Sequence, residues 1–213
     1  MGLLAQFETK DLRYALGRYL WIRKMCLPSP PFHICDIGAG EGSILLRWCL
    51  GDFDGENDMA IENATGGHVG VDVNPDYNKT SRKLFPTSKF IEFDLNDLGN
   101  GKKLPFMAKE WDCTIASEVI EHLDRKLWEP FLCEMQRITR HILLVTCPDS
   151  GQPDRIHDRL ADELDNRAYI GHQYEPCWFS WQRIMDKQFG DKAYCGQIPG
   201  FWTAVIALGD WNR

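Results

Sequence analysis

The segment HICDIGAGEG, His33 to Gly42, constrains this chain more than any other stretch. Ile34, Cys35 and Ile37 form a short apolar run that carries Asp36. The run breaks at once into Gly38, Gly40 and Gly42, and the amphipathic stretch SILLRWCL follows. That order spells buried strand, tight glycine turn, helix. Glycine accepts the positive φ angles such a turn needs and lets a ligand approach bare backbone. The turn also delivers that ligand to a helix N-terminus, where unpaired backbone N–H groups point outward. A chain with this segment contains a small-molecule pocket around which the remaining elements must be arranged.

Those elements alternate. Leu12, Ala15, Leu16, Tyr19 and Leu20 fall at helical spacing and predict a helix over 8–26, ended by the prolines at 28–31. The first strand covers 32–37 and its helix 42–50; the acidic, glycine-rich 51–67 is a loop. HVGVDV (68–73) is the second strand. A helix follows, with Asn74 as N-cap and Pro75 at its first position. A third strand lies within 88–95 and a fourth at 111–117. A helix over 126–138 carries Pro130 in its first turn, and the fifth strand is 141–148. The end of the chain holds a helix over 178–190, then two strands joined by Pro199-Gly200 as an antiparallel hairpin. Strands alternating with helices imply an α/β, Rossmann-like doubly wound sheet of seven strands, mostly parallel, with one antiparallel strand near the C-terminus. The 213 residues are expected to form a single domain. Residues 1–27 would be an N-terminal helical cap, and the polar 149–177 a second cap over the strand ends.

Bulk properties narrow the partners. Asp and Glu (31) outnumber Lys and Arg (24), for a net charge of -7, which argues against an extended phosphate-binding surface. No run of 18 apolar residues exists, so a membrane span is not expected. The N-terminus has no signal-peptide pattern, and Gln6 stands where myristoylation needs Ser or Thr. None of the eight cysteines lies in a C-x-x-C pair, and several fall inside expected strands or helices. They read as reduced thiols of a cytoplasmic protein.

Chemistry collects at the strand ends. Asp36, Asp72, Asp94 and Glu118 all stand at or near the carboxyl ends of successive strands. In a doubly wound sheet, ligands bind outside those ends, where the strand order switches. An acidic residue at the end of the second strand can hydrogen-bond the two hydroxyls of a ribose, or simply cap the next helix. Asp94 carries the same two readings, and the LND that follows can be a plain turn. A dinucleotide fingerprint would need glycine at position 43, where Ser43 stands. The chain also leaves no length for the separate substrate domain such an enzyme needs.

At these motifs the chain resembles the class I S-adenosylmethionine-dependent methyltransferases. DIGAGEG resembles that family's first motif, VGVDVNP its second, IEFDLND its third and WDCTIASEVIEHL its strand-four motif. The resemblance implies a methyltransferase that uses S-adenosyl-L-methionine. Gly38, Ala39 and Gly40 would pass under the methionine part of the cofactor, and Asp36 would steer its amino group. Asp72 would bind the ribose, with Val73 against the adenine. Asp94 would accept from the adenine amino group while Leu95 donates its backbone N–H. Glu118 and Val119 would line the reactive side.

Glu118, Glu121 and His122 stand at i, i+3 and i+4, which share one face of a helix. Two carboxylates and an imidazole so placed suit a divalent cation. This E-x-x-E-H pattern resembles the metal site of the small-RNA 2′-O-methyltransferases and of the ubiquinone-pathway O-methyltransferases. GHQYEP, with His172, loosely echoes a further ligand segment of the RNA enzymes. The same EVIEHL also resembles the strand-four motif of metal-free small-molecule methyltransferases. Without a metal, His122 or His172 is the candidate general base, with Glu121 beside it. His141 and His157 read as structural or solvent-facing. Of the aromatic group Tyr169, Tyr174, Trp178, Phe179 and Trp181, core packing is expected of Trp178 or Phe179, and an acceptor pocket wall of Tyr169 and Tyr174. The expected acceptor is a small molecule, with RNA as the alternative acceptor and a non-catalytic binding protein as the alternative function. The expected state is monomer or homodimer.

Overall fold

Strands buried on both faces carry near-continuous apolar runs, whereas strands at a sheet edge alternate. The computed structural model follows that rule; it describes residues 33–40, 67–84, 88–149, 155–156 and 171–209. β1 (His33–Ile37), β4 (Trp111–Ser117) and β5 (Thr139–Pro148) are buried along almost their whole length. β3 (Lys89–Glu92) and β8 (Ala193–Ile198) alternate exposed and covered positions. With β2 (Gly67–Asp72) and β9 (Phe201–Ala207) they form a seven-stranded sheet of order β3-β2-β1-β4-β5-β9-β8. β3, β2, β1, β4 and β5 pair in parallel, and β9 enters antiparallel beside β5 with β8 antiparallel to it. β9 therefore runs against the other six strands, as the sequence predicts. Strand order reverses between β1 and β4, so the ligand-binding crevice of such a sheet opens there.

Helices flank the sheet. α1 (Pro75–Leu84) begins as expected, with Asn74 Oδ1 accepting from the N–H groups of Asp76 (2.9 Å) and Tyr77 (3.4 Å). α2 (Trp128–Ile138) buries Trp128, Phe131, Leu132, Met135 and Ile138, an i, i+3, i+4 stripe that faces the core. Pro130 sits in its first turn, where its missing N–H is harmless. Buried Glu134 on the same helix receives Arg137 through both oxygens (2.6 and 2.8 Å) and the Leu104 N–H (2.7 Å). Arg137 also donates to the carbonyls of Leu104 and Phe106, so one ion pair ties the 101–110 loop to the helix. α3 (Trp178–Phe189) ends at Gly190 with φ 60°.

The structure adds a two-stranded ribbon, β6 (Arg155–Ile156) against β7 (Tyr174–Glu175), that periodicity did not signal. It also decides one aromatic expectation and overturns another. Phe179 is 79% exposed rather than core. Tyr174 is buried edge-on against Trp128 (5.3 Å between centroids) and belongs to the core, not to a pocket wall. Trp181 is fully buried and Trp178 packs on Trp202, as core residues do. Cys35, Cys113, Cys133, Cys147, Cys177 and Cys195 are free thiols. No helix among the described residues is long and apolar enough to cross a membrane. The expected 8–26 and 42–50 helices, all of the 51–67 loop but Gly67, Tyr169, His157 and most of the 149–177 cap lie outside the described residues.

Candidate active site

The glycine turn has the conformation its sequence predicts. Gly38 and Gly40 adopt φ 69° and 58°. The N–H groups of Gly38 (2.8 Å) and Ala39 (3.0 Å) both donate to Val71 O at the end of β2, which anchors the turn across the sheet. A Cβ on Gly38 would strike Val119 Cγ2, so this glycine lets the segment after β4 pack down on the turn. Among the described residues nothing lies within 4 Å of where a Cβ on Gly40 would be. The Cα face of Gly40 is therefore open among the described residues, while its N–H is held by Asp72.

Asp72 closes the next strand end. Its Oδ2 accepts from Gly40 N–H and its Oδ1 from Asn74 N–H, each at 2.8 Å. Each carboxylate oxygen keeps a second lone pair, so both remain able to accept from a diol. Val73 beside it is 56% exposed, an apolar side chain standing open at the strand end. Asp94 caps the 3-10 turn Leu95–Asn100, its Oδ1 accepting from Asn96 N–H (2.9 Å) and Asn96 Nδ2 (2.8 Å). The turn reading of LND is therefore present in the structure. Asp36 is buried in β1 between Gly70 and Ile115 of the neighbouring strands.

The end of β4 departs from the expected helix face. Glu118 has φ 59°, in the left-handed region, and only a 3-10 turn, Ile120–His122, follows. Glu118, Glu121 and His122 are therefore not three positions on one α-helix. Thr146 Oγ1 on β5 donates to Glu118 Oε1 at 2.9 Å. Glu121, His122 and His172 come together instead, with one donor atom from each within 4.8 Å of the others. Glu121 is fully buried, and its carbonyl accepts from Gln173 N–H at 2.6 Å, which fastens the 3-10 turn to the segment bearing His172.

His172 is set by a carboxylate behind it. Its Nδ1 lies 2.6 Å from Glu175 Oε1, both side chains buried. A proton on Nδ1 that donates to this carboxylate leaves Nε2 with its lone pair. Nε2 lies 4.0 Å from Glu121 Oε1. The His122 ring meets the His172 ring edge to face, 4.7 Å between centroids. Partial withdrawal from water, and then the imidazole of His172, hold the His122 pKa below the usual histidine value, while a hydrogen bond with the Gly171 backbone opposes them.

Residues 35–142, just over half of the chain, match the family model described as a methyltransferase domain. The chain belongs to this methyltransferase family. Solved structures share its fold. A S-adenosylmethionine-dependent methyltransferase from Aquifex aeolicus is 11% identical, with 95% of this chain and 100% of that one covered and a TM-score of 0.60. The 1,6-didemethyltoxoflavin-N1-methyltransferase of Burkholderia thailandensis, solved with its namesake substrate and S-adenosylhomocysteine, is 13% identical. It covers 94% of this chain and 82% of its own at a TM-score of 0.63. A S-adenosylmethionine-dependent methyltransferase from Mesorhizobium loti is 12% identical, covering 91% and 99%, at 0.61. No curated protein matches the sequence.

The chain is thus a methyltransferase, and S-adenosylmethionine is the donor that its motifs imply by resemblance. Its residues fit that donor: an open glycine turn, a diol-accepting carboxylate and an exposed apolar side chain stand side by side. They also fit a divalent cation. Glu121, His122 and His172 offer suitable donor types, but two bonds of ~2.0–2.2 Å span at most ~4.4 Å, so a cluster spread over up to 4.8 Å would have to draw together around an ion. Sequence reasoning missed Thr146, because a β-branched residue in an apolar strand carries no polar signal.

Proposed function

We propose that this methyltransferase methylates a hydroxyl oxygen on a small-molecule acceptor, within a single domain whose 1–27 and 149–177 segments cover the acceptor side. The observation that carries the reading is the convergence of Glu121, His122 and His172 just beyond the end of β4, one of the two strands at the strand-order switch. A hydroxyl must lose its proton as the methyl arrives, and an imidazole near neutrality is the side chain suited to take it. Glu175 holds His172 so that Nε2 is the receiving atom. Gly38, Ala39 and Gly40 lie under the donor, with Asp36 steering its amino group. Asp72 takes the ribose hydroxyls, Val73, Asp94 and Leu95 the adenine, and Glu118 and Val119 the reactive side. When bound, S-adenosylmethionine supplies a methyl already activated on a sulfonium. The chain's own residues then have mainly to align the partners and exclude water. The acidic net charge favours a small acceptor, and a cytoplasmic monomer or homodimer is the accompanying proposal.

A second reading has its own support. The donor cluster with Glu175 behind His172 is the arrangement of a histidine metal ligand held by an outer carboxylate. A divalent cation there would supply Lewis acidity that makes an acceptor hydroxyl easier to deprotonate. Glu121, His122 and His172 would hold it, and the 2′-hydroxyl of an RNA would then be a suitable acceptor. Calorimetry with S-adenosylhomocysteine tests the donor site; no binding would refute both readings. Methyl transfer assayed on small hydroxylated compounds and on short RNA, with and without EDTA, separates them. Activity on small compounds that survives EDTA supports the first reading, and EDTA-sensitive activity on RNA replaces it with the second.

A further inference from the structure

A non-glycine residue in the left-handed region costs about 1–2 kcal/mol and persists only where its surroundings hold it. Among the described residues only Lys109 and Glu118 have such a φ. Glu118 directly follows β4 and precedes Val119, the residue that fills the space above Gly38. It therefore stands at the strand-order switch, on the rim of the crevice. Two of the groups that hold it come from β5. The Thr146 hydroxyl donates to Glu118 Oε1 at 2.9 Å, and Glu118 N–H donates to Thr146 O at 3.3 Å.

The hydroxyl chain has a fixed direction. Thr146 Oγ1 has one proton, and that proton goes to Glu118. The 3.1 Å bond between Ser117 Oγ and Thr146 Oγ1 must then be donated by Ser117. Ser117 thus polarises Thr146 toward the carboxylate. Thr146 is 1% exposed, in a strand flanked by β4 and β9, where valine would fill the same volume with no polar atom to satisfy. A buried hydroxyl at that place has the carboxylate as its partner.

We propose that Thr146 is a positioning residue that fixes the Glu118 carboxylate as the anionic rim of the donor site, so that the site favours the cationic sulfonium of S-adenosylmethionine over its neutral demethylated product. The inference rests on reading the β1/β4 crevice as the donor site.

The experiment is calorimetry on the full chain with S-adenosylmethionine and S-adenosylhomocysteine, for wild type, Thr146→Val, Thr146→Ser and Glu118→Gln. The wild type prefers the sulfonium. T146V lowers that preference about 10-fold, the scale of losing a hydrogen bond to a charged group. T146S restores it to within about 2-fold, and E118Q loses at least as much as T146V. T146V in an E118Q background has no further effect on the ratio. A purely structural threonine would lower the melting temperature and weaken both ligands alike, leaving the ratio unchanged; that result, or failure of T146S to restore it, overturns the inference. Wild type that binds neither nucleoside overturns the donor-site reading itself.

Discussion

Replacing Gly38 by alanine separates the two demands that the turn makes on this position. The φ of 69° costs an L-residue about 1–2 kcal/mol. The new methyl also strikes Val119 Cγ2, and Val119 is buried with little room to retreat; such overpacking costs about 1–3 kcal/mol. G38A should therefore destabilise by about 2–5 kcal/mol. Gly40→Ala is the internal control, since φ is 58° but no described residue lies within 4 Å. It should cost only the first part, about 1–2 kcal/mol. Val119→Ala removes the obstruction, so the G38A/V119A pair should fall short of additivity by about 1–3 kcal/mol. Urea unfolding with an unchanged slope reads the wild type and all four variants. Additivity within about 0.5 kcal/mol would refute the collision, and a G40A as damaging as G38A would show that φ alone governs the turn.

Asp72→Ala should weaken S-adenosylhomocysteine binding at least 10-fold by calorimetry, roughly what charged hydrogen bonds contribute, and loosen the turn because Gly40 and Asn74 lose their acceptor. Glu134→Ala leaves the Arg137 charge with only the Leu104 and Phe106 carbonyls and removes the acceptor of Leu104 N–H in a mostly buried place, and should lower unfolding stability by about 3 kcal/mol. His122 should titrate below the ordinary histidine value when followed by NMR. The unfolded chain takes that proton first, so the stability contribution is present above the ordinary value and lost as pH falls through the folded one. Burial, and then the charge of Asp186, raise the Cys195 thiol to about 11. At pH 8 it should resist a thiol reagent that modifies exposed Cys133, as read by peptide mass spectrometry.

The parts of the fold that a single local rule controls were legible in the chain. The glycine turn needed positive φ, and Gly38 and Gly40 have it. Asn74-Pro75 carried the chemistry of a helix start, and Asn74 caps α1. The site was legible only in part. Spacing placed Glu118, Glu121 and His122 on one helix face, but the strand ends in a left-handed residue and one 3-10 turn, and neither has a periodic signature. His172 reaches Glu121 because Gln173 and Glu121 join through their backbones, a contact between segments 52 residues apart that no local pattern encodes. Tyr174 was misassigned, and Trp178 could not be told from Phe179, for a related reason: aromatic side chains suit cores and pockets equally, and only the neighbours decide.

Asp72 binds the N–H of the glycine turn with one oxygen and that of the next helix entrance with the other. One side chain thus joins three segments that a mobile donor site would leave independent. The turn is shaped before any nucleoside arrives, so association should lose little affinity to ordering the chain. The same economy restricts how the protein can change. Drift toward another nucleoside through position 72 would loosen the turn with the same substitution, so new donor preferences are more accessible through Val73, an exposed apolar side chain with no such double duty.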